Sequence, residues 1–251
     1  MTAPLFVVGR GSLDGVEVGD EVVLDGPEGR HAVQVRRLSE GERVDVCDGQ
    51  GARAEGVVVR AEAAGKAPSL VLEVVGTAYD EEPAPRFVLV QALAKGDRDV
   101  AAVEAATELG VDAVVPWQAE RSVVVWRPDR AAKSHSRWAA TVLAAAKQSR
   151  RSRVPEVAPL VGPAELARLV TAAALALVLH EEAEQPLTSV PLPTDGDVLV
   201  VVGPEGGIGS GELERLLEAG AVAVRLGSTV LRSSTAGPTA LAVLSARSRW
   251  A

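Results

Sequence analysis

Val198-Leu199-Val200-Val201-Val202-Gly203-Pro204-Glu205-Gly206-Gly207 is the stretch that decides the fold. Asp197–Val202 is an unbroken apolar run of strand length, and such runs form strands buried on both faces of a parallel sheet. Three glycines and a proline end it. Gly211–Ala219 then reads as a helix, with Ser210 placed as its N-cap. Ligands of open parallel sheets bind at the carboxyl ends of strands, and glycines let a ligand approach the backbone closely. An ordinary strand-to-helix turn does not need three glycines in five residues around a carboxylate. The junction is therefore a candidate ligand site.

Working outward, the same grammar repeats. Phe87–Leu93 predicts a strand and Asp97–Leu109 a helix, closed by Gly110. Val111–Val115, Ala174–Leu179 and Ala221–Leu226 predict further strands, with helices over Asp129–Gln148, Pro163–Thr171 and Pro238–Trp250. Alternating strands and helices predict an α/β domain whose mostly parallel sheet is covered on both faces. Two more strand ends carry polar groups. One is Leu179-His180-Glu181-Glu182, where His180 alone reads as a capping or surface residue. The other is Leu226-Gly227-Ser228-Thr229-Val230-Leu231-Arg232-Ser233-Ser234-Thr235-Ala236-Gly237-Pro238. There, Ser234 or Thr235 is placed to cap the last helix and Pro238 to lie in its first turn. If the three ends are neighbours, their loops make one pocket of mainly backbone groups. Such a pocket suits a flat, uncharged adenine with an attached amino-acid tail.

The first eighty residues read differently. Short apolar or alternating runs at Leu5–Val8, Glu21–Leu24, Arg43–Cys47, Ala54–Val59 and Leu70–Val75 predict five strands and a small barrel. Asp48-Gly49-Gln50-Gly51 predicts a hairpin turn, and one short helix fits between Glu28 and Arg37. Tyr79–Arg86, with two prolines and three acids, predicts a linker. The expected domains are residues 1–78 and 84–251.

Composition narrows the function. The 251 residues are 47% hydrophobic with a net charge of −8, which excludes a disordered chain and a disulfide scaffold. Cys47 is the only cysteine, which points to a reducing compartment. No leader pattern opens the sequence. The most apolar run, Val170–Leu179, is shorter than the roughly 20 residues a membrane helix needs. A soluble cytoplasmic protein without a membrane partner is expected. His31, His135 and His180 are isolated and no ligand spacing exists, so no metal is expected. Phosphate-loop, dinucleotide and nucleophile-elbow signatures are absent.

Charge is uneven. Arg86–Arg153 holds twelve basic and seven acidic residues within an acidic chain. Its densest part is Lys147-Gln148-Ser149-Arg150-Arg151-Ser152-Arg153, a density that favours phosphate contacts. The favourable placement of cations at a helix C-terminus accounts for only one or two of these charges.

Taken in order, several signatures resemble the RsmE family of 16S ribosomal RNA uridine-N3 methyltransferases, of the SPOUT superfamily. They are His31-Ala-Val-Gln-Val35-Arg36-Arg37-Leu38, Gly41 and Asp48-Gly49, then Gln91-Ala-Leu-Ala-Lys95-Gly96-Asp97-Arg98 and Thr107-Glu108-Leu109-Gly110-Val111. Pro116, Glu120-Arg121-Ser122, Gln148-Ser149, Arg151 and Val154-Pro155 follow, and Gly203–Gly207 and Leu226-Gly227 with Val230-Leu231-Arg232 complete the pattern. The chain departs from it at Ala3-Pro4, where an arginine is usual, at Ala105 in place of lysine, and at Ala144 and Ser234 in place of glutamates.

The resemblance implies a PUA-like N-terminal barrel that docks RNA. It also implies a C-terminal SPOUT domain with a trefoil knot that binds S-adenosylmethionine. A homodimer acting on 16S rRNA within the 30S subunit is implied as well. Cofactor contacts fall on Leu179, His180, Glu181, Gly203, Pro204, Glu205, Gly206, Gly207, Leu226, Gly227, Val230 and Leu231. Arg232 is assigned to the electrostatics of the target base or phosphate. Glu205 is assigned to the cofactor's polar groups or to the N3 proton. RNA contacts are expected at Arg30, His31, Arg36, Arg37, Lys95, Arg121, Gln148 and Arg151. Two other readings stay open: a SPOUT enzyme acting on transfer RNA or on a ribose hydroxyl, and a catalytically silent RNA-binding assembly factor.

Overall fold

A computed structural model describes residues 3–63 and 67–250, and the chain divides into two compact units. The first comprises Met1–Glu82 with Ala146–Val154; the second comprises Pro83–Ala145 with Pro155–Ala251.

The first unit holds β1 (Leu5–Val7), β2 (Glu21–Leu24), α1 (Gly26–Arg30), β3 (Arg43–Cys47), β4 (Ala52–Glu62) and β5 (Ser69–Tyr79). The strands form a sheet in the order β1-β3-β4-β5-β2, with β1 parallel to β3 and the other pairs antiparallel. Alternate residues of each strand point to one side and bury Phe6, Leu24, Val44, Val46, Leu70, Leu72 and Val74 together. The β3–β4 turn falls on Asp48–Gly51. The Asp48 carboxylate accepts the amides of Gln50 (2.8 Å) and Ala52 (3.1 Å), while Gly49 and Gly51 take φ of 76° and 116°. The single helix expected between Glu28 and Arg37 is instead α1 followed by a wider turn, His31–Val35, in which the Arg36 amide reaches the His31 carbonyl. Ala146–Val154 is held to this unit by the Cys47 thiol, which donates to the Arg151 carbonyl, and by a Ser152–Asp80 hydrogen bond.

The second unit contains β6 (Arg86–Ala92), α2 (Arg98–Glu108), β7 (Ala113–Trp117), all but the last three residues of α3 (Pro128–Gln148), β8 (Glu156–Val157), α4 (Pro163–Ala172), β9 (Leu175–Leu179), β10 (Asp197–Val202), α5 (Ser210–Glu218), β11 (Val222–Val224) and α6 (Ser233–Ala246). Six strands form a wholly parallel sheet, ordered β11-β9-β10-β6-β7-β8. Val88 and Val90 of β6 join Leu199, Val201, Leu166 of α4 and Leu216 of α5 in one core. Leu89 turns to the opposite layer, where a Cβ on Gly237 of α6 would lie 2.7 Å from its Cδ1. Each fully buried Val or Leu side chain adds about 1.5–3 kcal/mol. Arg249 ties the chain's end to this unit. It donates to the carbonyls of Gly110 (2.6 Å) and Pro85 (2.7 Å), pairs with Asp112 at 2.5 Å, and lies over the Phe87 ring at 4.0 Å.

Several local expectations are corrected. α6 begins at Ser233 and ends at Ala246, so Pro238 is an interior residue rather than a first-turn one. Its missing N–H removes one helical bond, which the burial of Ala240, Leu241 and Leu244 offsets. Neither Ser234 nor Thr235 caps the helix: Arg232 is the N-cap, and the Thr235 hydroxyl donates to the Arg232 carbonyl at 3.2 Å. Ser210 likewise lies inside α5, whose N-cap is Gly209 in extended conformation. β11 spans three residues where six were expected, and the two-residue β8 was not expected at all. Among the described residues no helix is long and apolar enough to cross a membrane, and no group of three or more potential ligands is placed to hold a metal ion.

Candidate active site

Because β11, β9 and β10 are neighbours, the loops leaving their carboxyl ends meet. A cavity of about 300 Å³ opens there. Its walls include Leu179, Glu181, Val202, Gly203, Pro204, Glu205, Gly207, Ile208 and Val230–Ser233, with Arg98 at one side. A smaller cavity of about 70 Å³ shares Leu179, Glu181, Val230 and Leu231 and adds His180, Leu226, Gly227 and Thr229. Eleven of the twelve residues assigned to the cofactor thus line one of two adjoining spaces. The exception is Gly206, which lies under Arg121: a Cβ there would come 3.2 Å from the arginine's own Cβ.

The glycines at the end of β10 have separate reasons. Gly207 sits at φ 70° and donates to the Pro204 carbonyl (2.9 Å), closing a tight turn. A Cβ on Gly203 would meet Ile208 Cγ1 at 2.7 Å. Arg121 grips the same turn from outside, its guanidinium donating to the Gly206 carbonyl at 3.1 Å. Its neighbour Glu120 pairs with Arg215 of α5, and the Glu120 amide donates to the buried Glu212 carboxylate at 3.1 Å.

Glu205 is held from the β6–α2 loop. Gly96 and Asp97 both adopt left-handed conformations (φ 63° and 57°), which turn the Lys95 amide toward the Glu205 carboxylate at 3.2 Å. Arg98 donates to the same oxygen at 2.9 Å. Partial burial pushes the Glu205 carboxyl up. Hydrogen bonds from its own backbone, Arg98 and the Lys95 amide together outweigh that and hold it below the usual carboxylate range. Arg98 is not among the expected site residues, and its place beside Lys95 in the Lys-Gly-Asp-Arg signature is the one sequence signal for it.

Arg232 is exposed at the mouth of the larger cavity, and among the described residues its guanidinium has no hydrogen-bond or ion-pair partner. His180 behaves as a capping residue, its Nδ1 accepting the Glu182 amide at 3.3 Å. Lys95 is exposed and enters the site through its amide. The remaining predicted RNA contacts lie in the first unit. Arg30, Arg36 and Arg37 are exposed, and His31 stands edge-on to Phe6 with ring centroids 5.6 Å apart. Gln148 is exposed and Arg151 half-buried. Lys147 is instead committed internally, to both carboxylate oxygens of Glu28 (2.7 and 2.8 Å) and over the Phe6 ring.

A wholly parallel sheet with a glycine-lined cavity at its strand ends and a cationic residue at the mouth is the architecture of a ligand-binding α/β domain. An RNA methyltransferase domain model matches residues 80–245 and an RNA methyltransferase PUA domain model residues 24–63. Ribosomal RNA small subunit methyltransferase E of Mycobacterium bovis is 43% identical over 93% of this chain and 90% of its own length. The Bacillus subtilis protein of that name is 31% identical over 92% and 91%. The chain belongs to the ribosomal RNA small subunit methyltransferase E family. Among solved structures, the Neisseria gonorrhoeae methyltransferase E bound to S-adenosylmethionine superposes with a TM-score of 0.84 at 28% identity, covering 98% of both chains. A putative methyltransferase from Legionella pneumophila in complex with the same cofactor gives 0.85 at 26%, again over 98% of both.

Proposed function

We propose that the protein transfers a methyl group from S-adenosylmethionine to N3 of one uridine of 16S rRNA, acting as a homodimer on the 30S subunit in the cytoplasm. The observation that carries this reading is the convergence of Leu179, Gly203–Glu205, Gly207 and Val230–Arg232 on one cavity. Its volume of about 300 Å³ sits at the small end of the range for small-molecule sites. Apolar side chains of Leu179, Val202, Ile208 and Leu231 suit an adenosine body, and a buried hydroxyl on Ser233 without a partner suits a polar tail. The residues therefore fit the cofactor, which when bound supplies a methyl group already activated on a sulfonium.

The chain's own task is alignment and exclusion of water. The Gly203–Gly207 turn, fixed by Arg98, Lys95 and Arg121, forms one wall. Val230 and Leu231 form the other. N3 of uracil gives its proton to solvent, and the bond from the methyl carbon to N3 forms as the bond from that carbon to sulfur breaks, so the ring carries negative charge until transfer is complete. Arg232 is placed to stabilise that charge. Glu205 serves as a tether for the turn rather than as the proton acceptor, because its carboxylate is already bonded to Arg98 and Lys95.

Residues 1–78 act as the PUA-like barrel, with Arg30, His31, Arg36 and Arg37 on RNA phosphates, and residues 84–251 as the knotted catalytic domain. Gln148 and Arg151 position the RNA, while Arg121 holds the Gly203–Gly207 turn. Methylation assays on 30S subunits, with nucleoside mass spectrometry of the product, test the proposal. Loss of turnover in both Arg232→Ala and Gly206→Val, with N3-methyluridine as the wild-type product, is expected. Wild-type rates in both variants, or another modified nucleoside, would refute it.

A further inference from the structure

The start of α3 carries charge that its own helix disfavours. Residues 127–137 hold Arg127, Arg130, Lys133 and Arg137 against the single acid Asp129, in a chain whose net charge is −8. The amides of Arg130 and Ala131 both bond the Arg127 carbonyl at 2.8 Å, so Arg127 stands at the cap position of α3. A side chain with an accepting oxygen is preferred there, and a guanidinium has none to offer. The first turn is also the positive end of the helix dipole, which disfavours cations. Lys133 and Arg137, four positions apart on one helix, repel each other as well. No acid follows Asp129 along the 21-residue α3 to offset this.

Packing does not account for these cations. Other residues fix the buried side of α3: Trp138 meets Trp126 edge-on with ring centroids 5.5 Å apart, and His135 Nε2 lies 3.0 Å from the Val157 carbonyl oxygen. Arg130, Lys133 and Arg137, at spacings of three and four, share a second side that is exposed. Arg130 meets only its neighbour Asp129, at 3.8 Å, with the two side chains 81% and 71% exposed. Among the described residues, the side chains of Arg127 and Lys133 have no hydrogen-bond or ion-pair partner. Arg137 is tied at 2.8 Å to Asp97, the N-cap of α2 and the residue before cavity-lining Arg98. The row of cations thus ends at the β6–α2 loop. A local choice that opposes its own element and gains nothing from packing marks a functional surface.

The shape of the row selects the ligand. From Arg127 to Lys133 the chain rises about 9 Å, so the charges form a line, which fits a polyanion better than one small ion. Trp126 and Trp138 are buried, so bases have no ring to stack on here. Backbone phosphates are what such a surface can hold. We propose that Arg127, Arg130 and Lys133 form a docking track for the phosphate backbone of the RNA substrate, carried by the second unit itself and separate from the cations of the first. The inference rests on the methyltransferase reading above. The track adds grip without sequence selectivity, and it holds the RNA beside the loop to which Arg98 belongs.

Filter binding of the intact protein to unmethylated 30S subunits and to protein-free 16S rRNA, between about 50 and 200 mM salt, tests the proposal. The double variant Arg130→Ala/Lys133→Ala should weaken both complexes about tenfold and lower the slope of log K against log salt by about 1.5–2. Its methylation defect should appear in KM for 30S rather than in kcat, with S-adenosylhomocysteine affinity unchanged. Arg130→Glu/Lys133→Glu should bind RNA more weakly still, yet its melting temperature should not fall, because acids suit the first turns of a helix. Lys133→Arg should bind as the wild type does. An unchanged salt slope in both double variants overturns the proposal, as does weakened binding that merely follows a lower melting temperature. A loss seen with 30S subunits but not with protein-free rRNA also overturns it and assigns the row to an acidic protein surface. A wild-type protein that neither binds S-adenosylhomocysteine nor forms N3-methyluridine sinks the methyltransferase reading; an active wild type whose double variants keep the full slope sinks the track alone.

Discussion

Replacing Glu205 by glutamine separates a tether from a base. The substitution keeps an oxygen for the Lys95 amide but removes the charge facing Arg98, at 2.9 Å in the wild-type protein. Charged hydrogen bonds contribute about 1.5–3 kcal/mol and neutral ones about 0.5–1.5. The two side chains are 33% and 20% exposed, so solvent screening reduces the difference to about 1 kcal/mol. If that energy holds the Gly203–Gly207 turn in its binding shape, affinity for S-adenosylhomocysteine falls about fivefold. The methylation rate at saturating cofactor should change little, and its dependence on pH should keep the same acid limb. Arg98→Ala should reproduce the affinity loss, and Arg98→Lys should recover part of it. Calorimetry and a pH–rate profile on 30S substrate read these quantities. Removing a general base costs about 10²–10⁴ in rate. A loss of that size in Glu205→Gln, with unchanged cofactor affinity and a vanished acid limb, would refute the tether and make Glu205 the proton acceptor.

Four further outcomes follow from particular contacts. Burial raises the Glu212 carboxyl above the usual range, and one of its oxygens has no partner. Its contribution to stability is therefore greatest below the unfolded carboxyl's pKa and declines as pH rises through the higher folded value. Glu212→Gln should raise the melting temperature at pH 8 and flatten its fall between pH 5 and 8; a lower melting temperature at pH 8 contradicts this. Gly29→Ala forces a Cβ to within 2.5 Å of the Leu24 carbonyl and 2.8 Å of the Pro68 carbonyl, so the first unit should lose about 2–3 kcal/mol in urea unfolding. The Cys47 thiol, wholly buried and pushed up to about 11, should resist iodoacetamide at pH 7.5 until the protein is unfolded. Arg37→Ala should weaken RNA binding and lower the slope of log K against log salt by about one; an unaltered slope makes that arginine structural.

Most of the β-strands, though not the two-residue β8, and the three loops of the cavity were legible because their signals are local. A run such as Asp197–Val202 can satisfy its backbone and bury both faces only inside a parallel sheet, and its expected limits match β10. Helix starts were less legible, because capping propensity is weaker than packing. Ser210 and Ser234 are good caps in isolation, yet burial of Ala236, Gly237 and Leu241 against the sheet draws α6 back to Ser233. The consequence reaches the site. With Pro238 in the first turn, Ser233 would have been a loop residue free to bond water. With the helix beginning at Ser233, that hydroxyl is buried at the cavity wall and its amide is aligned with the helix axis.

The same separation of local and distant signals sorts the charged residues. Lys147 and Arg151 look alike within one basic run, and nothing in the run shows that Lys147 is spent on Glu28, 119 positions away. Arg98 and Arg121 look like RNA ligands by charge alone. Their partners, the Glu205 carboxylate and the Gly206 carbonyl, lie 107 and 85 residues further on, and both belong to one five-residue turn. Arg98 at the start of α2 and Arg121 after β7 thus secure adjacent residues of a turn that carries three glycines. Its conformational freedom, needed for close approach to a ligand, is withdrawn by contacts that only the fold supplies. Arg232 alone among these three has a guanidinium without a partner among the described residues, which leaves it available at the cavity for the role proposed for it above.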